Sequence, residues 1–265
     1  MTPETAVRDD YLELCKGVRT LSGIDLSRYK RVQMERRIRT HARRIGVTDL
    51  AEYLRVLRKD PAELDAFLDR VTINVSSLWR SPEQWKLMAD TLVPELAKTG
   101  RIRVWSAGCS IGAEAYTAAA VCRDAAPAGT TVTVLGTDVD RRVVKTAAIG
   151  EFPESAATAA PKAALEKHFD RMPDGGWKAN AKLKQGVRFE TGDLLEDRVR
   201  PAQFDLVICR NTVIYFTAPD RDMLHAKLAS ALRPGGFLMI GPTERVASPA
   251  DAGVENFRPF VFRRP

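Results

Sequence analysis

The first hundred residues carry apolar positions at the spacing of α-helices. In the clearest segment these positions recur every three or four residues, which predicts a helix with one buried stripe. They are Met34, Ile38, Ala42 and Ile45. Asp49 is expected to cap a short helix over 49–59, and Pro61 to begin another. We therefore predict a small helical N-terminal domain over residues 1–75, followed by a linker and a helix over 76–100.

From residue 101 the hydrophobic pattern changes. Short runs rich in β-branched residues now alternate with helical stretches, which predicts a parallel sheet covered on both faces. The predicted strands are 102–108, 132–138, 187–190, 204–210 and 236–241, and the predicted helices are 112–125, 140–149 and 219–232. We interpret the stretch at 151–186, which Pro and Gly residues bound, as a small inserted subdomain. Residues 101–265 are thus predicted to form an α/β domain with a Rossmann-like sheet.

The positive charge of the chain is concentrated in one segment. The chain has 41 Lys and Arg against 34 Asp and Glu residues, and residues 28–44 hold eight of those bases with one acid, Glu35. That segment therefore accounts for the whole net charge of +7. The bases at helical spacing are Arg36, Arg37, Arg39, Arg43 and Arg44. An acidic partner at this surface explains the asymmetry, and a solvated helix face with acids from neighbouring segments is the alternative.

Other bulk features narrow the class of protein. No apolar run approaches the roughly 20 residues of a membrane helix, and the N-terminus carries acids where a signal peptide carries bases. The four cysteines form no CxxC pair and stand near no histidine cluster. We therefore expect a cytoplasmic protein with reduced thiols and no metal site.

Small residues follow the first predicted strand, at the end where open α/β sheets bind ligands. The turn S-A-G-C-S-I-G at 106–112 lets the backbone approach a ligand, with Gly108 at its centre. Asp138 ends the next strand and can accept both hydroxyls of a ribose, although the position also suits a helix cap. Glu114 can neutralise a cationic amine, or it is an acid favoured in a first helical turn.

These features favour S-adenosylmethionine (AdoMet) over ligands that carry phosphates. The chain has neither a strict G-x-G-x-x-G nor a G-x-x-x-x-G-K-[ST] phosphate-binding motif. AdoMet has no phosphate, so its turn can be looser and polar side chains can provide most of the binding.

Several blocks of the chain resemble, in the same order, segments of the CheR family of chemotaxis-receptor methyltransferases. They are T-I-N-V-S-S-L-W-R at 72–80, V-W-S-A-G-C-S at 104–110, T-D-V-D at 137–140, C-R-N-T-V-I-Y-F at 209–216, L-R-P-G-G at 232–236 and G-P-T-E at 241–244. The block at 209–216 is the most distinctive, and the resemblance spans roughly residues 20–245. It implies the Rossmann-like sheet of a class I AdoMet-dependent methyltransferase.

The resemblance also implies a set of cofactor contacts. Asn74, Ser76 and Arg80 are expected to reach AdoMet from the linker, Gly108 to form its turn, and Glu114 and Asp138 to bind its amino-acid and ribose ends. Asp193 and Leu194 are expected beside the adenine, Arg210 and Asn211 at the closed end of the site, and Tyr215 near the transferred methyl group.

The chemistry implied is transfer of a methyl group to a protein glutamate. A glutamate carboxylate is already ionised at neutral pH, so no general base is needed and alignment is the main task. We expect Arg80 to fix the substrate carboxylate or the cofactor, and Tyr215 to orient the attacking oxygen. A surface ion pair is the alternative for Arg80, and a core aromatic position for Tyr215.

The implied partner is the cytoplasmic helical bundle of a chemoreceptor, and we expect the basic segment to dock there. A monomer is expected. No nucleic-acid partner is expected, because CRNTVIYF stands where base-amine methyltransferases carry N-P-P-Y or D-P-P-Y. Ala113, Ala115 and Asp193 depart from the family pattern. A non-catalytic AdoMet-binding scaffold therefore stays open as an alternative, as does, less favoured, a nucleic-acid methyltransferase.

Overall fold

The computed structural model describes residues 9–72 and 76–265. They divide into two compact units, of which the N-terminal unit comprises residues 9–72 together with Tyr215–Thr217. The remaining described residues form the larger second unit. Within the described ranges, no helix is both long and apolar enough to cross a membrane.

The N-terminal unit is built from helices whose ends follow the local sequence. Its α-helices are α1 (Asp10–Ser22), α2 (Arg31–Arg44), α3 (Leu50–Lys59) and α4 (Pro61–Thr72). Asp9 caps α1 by accepting a hydrogen bond from the N–H of Leu12, and Asp49 caps α3 by accepting one from the N–H of Glu52. The predicted cap at Asp49 is therefore confirmed.

Helix α2 buries the predicted apolar stripe except for its last member. The other three positions are at most 4% exposed, whereas Ile45 is 45% exposed. The helix ends at Arg44, and the chain turns at Gly46 with φ +79°. Because Ile45 lies beyond the last helical residue, its side chain no longer follows the helical period. The predicted burial of Ile45 is wrong for this reason.

The described part of the second unit contains ten strands, which form two sheets. They are β1 (Arg101–Ala107), β2 (Thr131–Asp138), β3 (Glu151–Phe152), β4 (Phe169–Arg171), β5 (Trp177–Ala179), β6 (Val187–Thr191), β7 (Phe204–Cys209), β8 (Leu232–Ile240), β9 (Glu255–Arg258) and β10 (Val261–Arg263). The larger sheet has the order β6-β2-β1-β7-β8-β10-β9, and its first five strands run parallel. Strand β10 runs antiparallel to both of its neighbours. The sheet is therefore mixed, and the predicted α/β fold is confirmed.

The second unit also contains α-helices. They are α5 (Pro82–Leu87), α6 (Val93–Leu96), α7 (Ala113–Ala125), α8 (Arg141–Ile149), α9 (Lys162–His168), α10 (Ala181–Lys184) and α11 (Ala218–Ala231). Of these, α6, α7, α8, α10 and α11 contact strands of the larger sheet. Helix α7 is buried along most of its length, and alanines make up much of the buried surface. Small side chains let this helix approach β1 and β2 closely, so the turn that precedes it is held tightly against the sheet.

The stretch at 151–186 forms a small structure of its own. Strands β3, β5 and β4 pair antiparallel in that order. Phe152 and Phe169 are buried beneath it, with ring centroids 6.1 Å apart in an edge-on arrangement. The insertion thus contributes aromatic side chains to the core of the second unit.

Candidate functional site

Four neighbouring parallel strands bring the predicted ligand residues to one edge of the larger sheet. Strand β1 runs into the turn at 106–112, β2 ends at Asp138, β6 is followed by Asp193, and β7 is followed by Arg210. These strands are adjacent in the order β6-β2-β1-β7. Strand order reverses at β1, and in open α/β sheets ligands bind at the carboxyl ends beside such a reversal.

The turn after β1 contains three residues with positive φ, and it is hydrogen-bonded to strand β2. Gly108, Ser110 and Gly112 have φ values of +81°, +49° and +85°. The N–H groups of Gly108 and Cys109 both donate to the carbonyl of Thr137, at 2.9 Å each. Ser110 is the one non-glycine residue of the three. Serine does not favour a left-handed backbone, so the surrounding structure must stabilise this conformation.

The Gly108 position also requires the absence of a side chain. A Cβ atom at Gly108 would lie 2.6 Å from the hydroxyl oxygen of Thr212, on the loop after β7. The two loops therefore approach each other closely at this point, and glycine is the residue that permits it.

Asp138 accepts hydrogen bonds from two backbone N–H groups. Its Oδ2 accepts from Ser110 at 2.8 Å and its Oδ1 from Asp140 at 3.0 Å. Burial raises the pKa of Asp138, and these backbone hydrogen bonds oppose the shift. The cap of helix α8 is Asp140, which accepts from the N–H of Arg142. Asp138 is thus not the helix cap that its position also suited.

Glu114 lies in a buried polar cluster with Ser106 and Arg210. Its Oε1 accepts a hydrogen bond from the Ser106 hydroxyl at 2.8 Å, and its Oε2 is 3.5 Å from Nη1 of Arg210. Burial raises the pKa of Glu114, with Arg210 and Ser106 opposing the shift, and burial lowers the pKa of Arg210. Both shifts disfavour the charged forms, so the pair does not fully offset the burial of either charge.

Sequence reasoning missed the residues that hold Arg210. Its Nε donates to Oε1 of Gln84 at 2.8 Å, its Nη2 donates to the carbonyl of Arg80 at 2.7 Å, and its guanidinium lies 5.1 Å from the ring centre of Trp85. Gln84 in turn donates to the carbonyl of Ile240 at 2.8 Å. The exposed Arg80 side chain adds positive potential at Glu114.

Asn211 begins a loop that a second buried carboxylate organises. It has φ +59°, and its N–H donates to Oε2 of Glu244 at 2.9 Å. The resemblance marked Glu244 within the G-P-T-E block, but the sequence assigned it no role.

Asp193 and Leu194 lie at the rim of a pocket. Asp193 organises its own turn by accepting hydrogen bonds from the N–H groups of Leu195 and Glu196. The pocket has a volume of about 290 Å³, and its lining includes the apolar side chains of Trp105, Leu135, Leu194, Val199 and Phe204. Polar and charged side chains, among them Glu190, Asp197 and Arg200, line the same pocket, as do the two residues expected at the adenine.

Three predicted site residues remain, of which the structure describes Ser76 and Tyr215. Asn74 lies outside the described residues, and Ser76 is half-buried where the second described range begins. Tyr215 ends a 3₁₀ turn and belongs to the N-terminal unit, where its carbonyl accepts from the N–H of Lys30 at 2.8 Å. The guanidinium of Arg37 lies 5.8 Å from the centre of the Tyr215 ring.

The basic residues of α2 differ in their surroundings. Arg36, Arg43 and Arg44 are exposed. Arg39 forms ion pairs with Glu35 at 2.7 Å and with Asp10 at 2.8 Å. The free positive surface of α2 is therefore smaller than the sequence indicated, because neighbouring acids pair with part of it.

The strand order and the polar residues at its carboxyl edge define a class I AdoMet-dependent methyltransferase. A family model described as "CheR methyltransferase, SAM binding domain" matches residues 74–258, and one described as "CheR methyltransferase, all-alpha domain" matches residues 9–72; SAM is AdoMet. The chain therefore belongs to the CheR methyltransferase family.

Two relatives of similar length, both chemotaxis protein methyltransferases, support this membership. The chemotaxis protein methyltransferase of Listeria monocytogenes is 35% identical over 257 residues, which cover 96% of each chain. That of Borreliella burgdorferi is 27% identical over 97% of this chain and 94% of its own. The solved structure of a SAM-bound amino pentose methyltransferase from Micromonospora echinaspora is 19% identical, covers 59% of this chain and 50% of its own, and has a TM-score of 0.35.

Among the described residues, no cluster of three or more His, Cys, Asp or Glu side chains could hold a metal ion.

Proposed function

We propose that this chain transfers the methyl group of AdoMet to glutamate side chains on the cytoplasmic domain of a chemoreceptor, forming glutamate methyl esters. The observation that carries the proposal is the pair of family matches, which extend over residues 9–72 and 74–258. The names of the relatives support the substrate class. Both are chemotaxis protein methyltransferases, and the match to this chain covers nearly the whole length of each.

The charges at the carboxyl edge suit a cationic nucleoside. Glu114 and Asp138 are half-buried acids whose pKa values are raised by desolvation. A ligand ammonium group beside Glu114 would offset that burial, which Arg210 at 3.5 Å does not fully do. We assign the methionyl ammonium of AdoMet to Glu114, the ribose hydroxyls to Asp138, and the adenine to the pocket beside Asp193 and Leu194.

The reaction needs alignment more than acid–base chemistry. AdoMet supplies an electrophilic methyl group on a positively charged sulfur. The substrate carboxylate oxygen attacks the methyl carbon in line, the carbon–sulfur bond breaks, and its electron pair remains on sulfur. No proton moves, because the carboxylate is already ionised at neutral pH. We assign Arg80 to fixing the substrate carboxylate or the cofactor end, and Tyr215 to orienting the attacking oxygen through its hydroxyl.

The exposed bases of α2 suit an acidic receptor helix. Among residues 9–72 and 76–265, no acid forms an ion pair with Arg36, Arg43 or Arg44, whereas Glu35 pairs with Arg39. Charge complementarity of this kind contributes chiefly to the rate of association and to specificity.

Methyl transfer to receptor fragments tests the proposal. The full chain is incubated with AdoMet labelled in its methyl group and with a chemoreceptor cytoplasmic fragment. The matched control is the same fragment with its candidate glutamates changed to alanine. We expect protein-bound label that mild alkali releases as methanol, only from the unmodified fragment. Binding of AdoMet without transfer to any receptor fragment would contradict the proposed reaction and favour a binding-only role.

A further inference from the structure

One buried carboxylate gathers four backbone N–H groups at the site. Glu244 is 3% exposed. Its Oε2 accepts from Gly241 at 2.7 Å and from Asn211 at 2.9 Å, and its Oε1 accepts from Thr212 at 2.9 Å and from Val213 at 3.0 Å. The side chain thus joins the end of β8 to three consecutive residues of the loop that follows β7.

Only a carboxylate can make this set of contacts. Each of its two oxygens accepts two hydrogen bonds, whereas a glutamine side chain has one acceptor oxygen and an NH₂ group that donates. With glutamine at 244, two of the four backbone N–H groups would face another donor. Hydrogen bonds to a charged acceptor are also stronger than those between neutral groups.

The loop that Glu244 holds touches two parts of the ligand site. Asn211 adopts φ +59°, a left-handed conformation that asparagine tolerates better than most non-glycine residues. Thr212 lies against the backbone of Gly108, where an added Cβ atom would meet its hydroxyl at 2.6 Å. Arg210, the residue before the loop, lies 3.5 Å from Glu114.

We infer that Glu244 is a positioning residue, whose carboxylate keeps residues 210–213 in the shape that AdoMet binding requires without itself contacting AdoMet. The inference rests on the proposed function, because it concerns the same cofactor site. A purely structural role is the competing explanation, in which Glu244 stabilises the fold and the folded protein binds AdoMet equally well without it.

Gly241 offers an independent way to disturb the same contacts. A Cβ atom at position 241 would lie 2.8 Å from Oε2 of Glu244 and 3.1 Å from the backbone nitrogen of Asn211. Its φ lies outside the left-handed region. Gly241→Ala therefore pushes the carboxylate and the loop apart while leaving Glu244 charged and the backbone conformation accessible.

The experiment compares AdoMet binding and folding in the full-length variants. Calorimetry gives the Kd for AdoMet, thermal unfolding gives Tm, and receptor methylation gives separate KM values for AdoMet and for the receptor fragment. We expect Glu244→Gln and Gly241→Ala to raise the Kd by about tenfold or more at a temperature where each is fully folded. Glu244→Asp keeps the charge on a shorter side chain and should recover part of the affinity. Glu255→Gln, on the exposed strand β9, is the matched control and should bind as the wild type does.

The outcomes separate the explanations. A rise in the KM for AdoMet with an unchanged KM for the receptor supports positioning. A lower Tm with an unchanged Kd in the folded variants overturns it, as does binding within twofold of wild type in both Glu244→Gln and Gly241→Ala. If Glu244→Gln does not fold, the Kd of Gly241→Ala decides. Failure of the wild type itself to bind AdoMet would instead refute the proposed function.

Discussion

Replacement of Asp138 by asparagine tests the ligand site most directly. Both carboxylate oxygens already accept a backbone N–H, from Ser110 at 2.8 Å and from Asp140 at 3.0 Å. Each oxygen keeps a further lone pair, so the carboxylate can accept one ribose hydroxyl on each side. In asparagine an NH₂ group takes the place of one oxygen. One backbone N–H then faces a donor, and one ribose hydroxyl loses its acceptor.

The size of the effect follows from this count. A hydrogen bond to a charged group contributes about 1.5–3 kcal/mol, and one between neutral groups about 0.5–1.5 kcal/mol. Loss of one charged bond and weakening of the other therefore costs about 3 kcal/mol of binding free energy. The expected rise in the Kd for AdoMet is about 150-fold.

Calorimetry with AdoMet and with its demethylated product measures the change. Asp140→Asn is the matched control, because Asp140 is a buried aspartate two residues away that caps α8, and asparagine also caps helices well. We expect Asp140→Asn to bind AdoMet within about threefold of wild type. The substitution changes only the side chain, so the backbone N–H of residue 140 still donates to Asp138. Equal losses in the two variants would indicate a general disturbance of the loop, and an unchanged Kd in Asp138→Asn would refute ribose recognition by this carboxylate.

Three further predictions concern catalysis, docking and folding. Arg80→Ala and Tyr215→Phe should lower the single-turnover rate more than the AdoMet affinity, and unchanged rates in both would remove their proposed roles. Reversal of Arg36 and Arg43 to Glu should raise the receptor KM about tenfold and leave AdoMet binding alone; salt-independent receptor kinetics would contradict docking by charge. His225 is 1% exposed, and burial lowers its pKa from 6.5 to about 4. Between those two values the unfolded chain binds the extra proton, so stability rises with pH. Urea unfolding of wild type should therefore gain about 2 kcal/mol between pH 5 and pH 7 relative to His225→Leu, and parallel pH curves would count against this reasoning.

Much of the fold could be predicted from the sequence because periodicity reports burial directly. The alternation of short β-branched runs with helical stretches predicted β1, β2, β6 and β7. The central strands β1 and β7 are buried along most of their length, as expected for parallel strands covered on both faces. The same alternation predicted where the candidate site lies, because Asp138 ends β2 and Arg210 follows β7. The pattern could not distinguish a helix cap from a ligand-binding residue at an aspartate that follows a strand.

Asp138 and Asp140 illustrate that limit. Both follow the same strand, and an aspartate before a helix can serve either as a cap or as a ligand residue. Which of the two aspartates caps α8 depends on which carboxylate reaches the N–H groups of the first turn of the helix. That is decided by the path of the backbone between β2 and α8, which the residue types do not specify. In the structure Asp140 accepts from Arg142, and Asp138 turns towards Ser110.

Long-range partners were also beyond the sequence. Gln84 precedes Arg210 by 126 residues, and nothing in its local pattern distinguishes it from a solvated glutamine. Arg39 was expected on a basic docking surface, with acids from neighbouring segments as the alternative, and Asp10, 29 residues earlier, does pair with it. Ion pairs of this kind depend on how helices pack, whereas charge counts along the chain assume that each helix face stands alone.

Glu244 is the most instructive case, because its partners have no side-chain signature at all. The carboxylate binds backbone N–H groups, which every residue except proline offers, so the identities of residues 211–213 do not predict the contact. What marks the contact is the combination of a buried acid with φ +59° at Asn211, and neither can be derived from the residue types alone. A carboxylate that holds backbone rather than ligand can therefore shape a binding site from outside it, and such residues must be found from hydrogen-bond geometry.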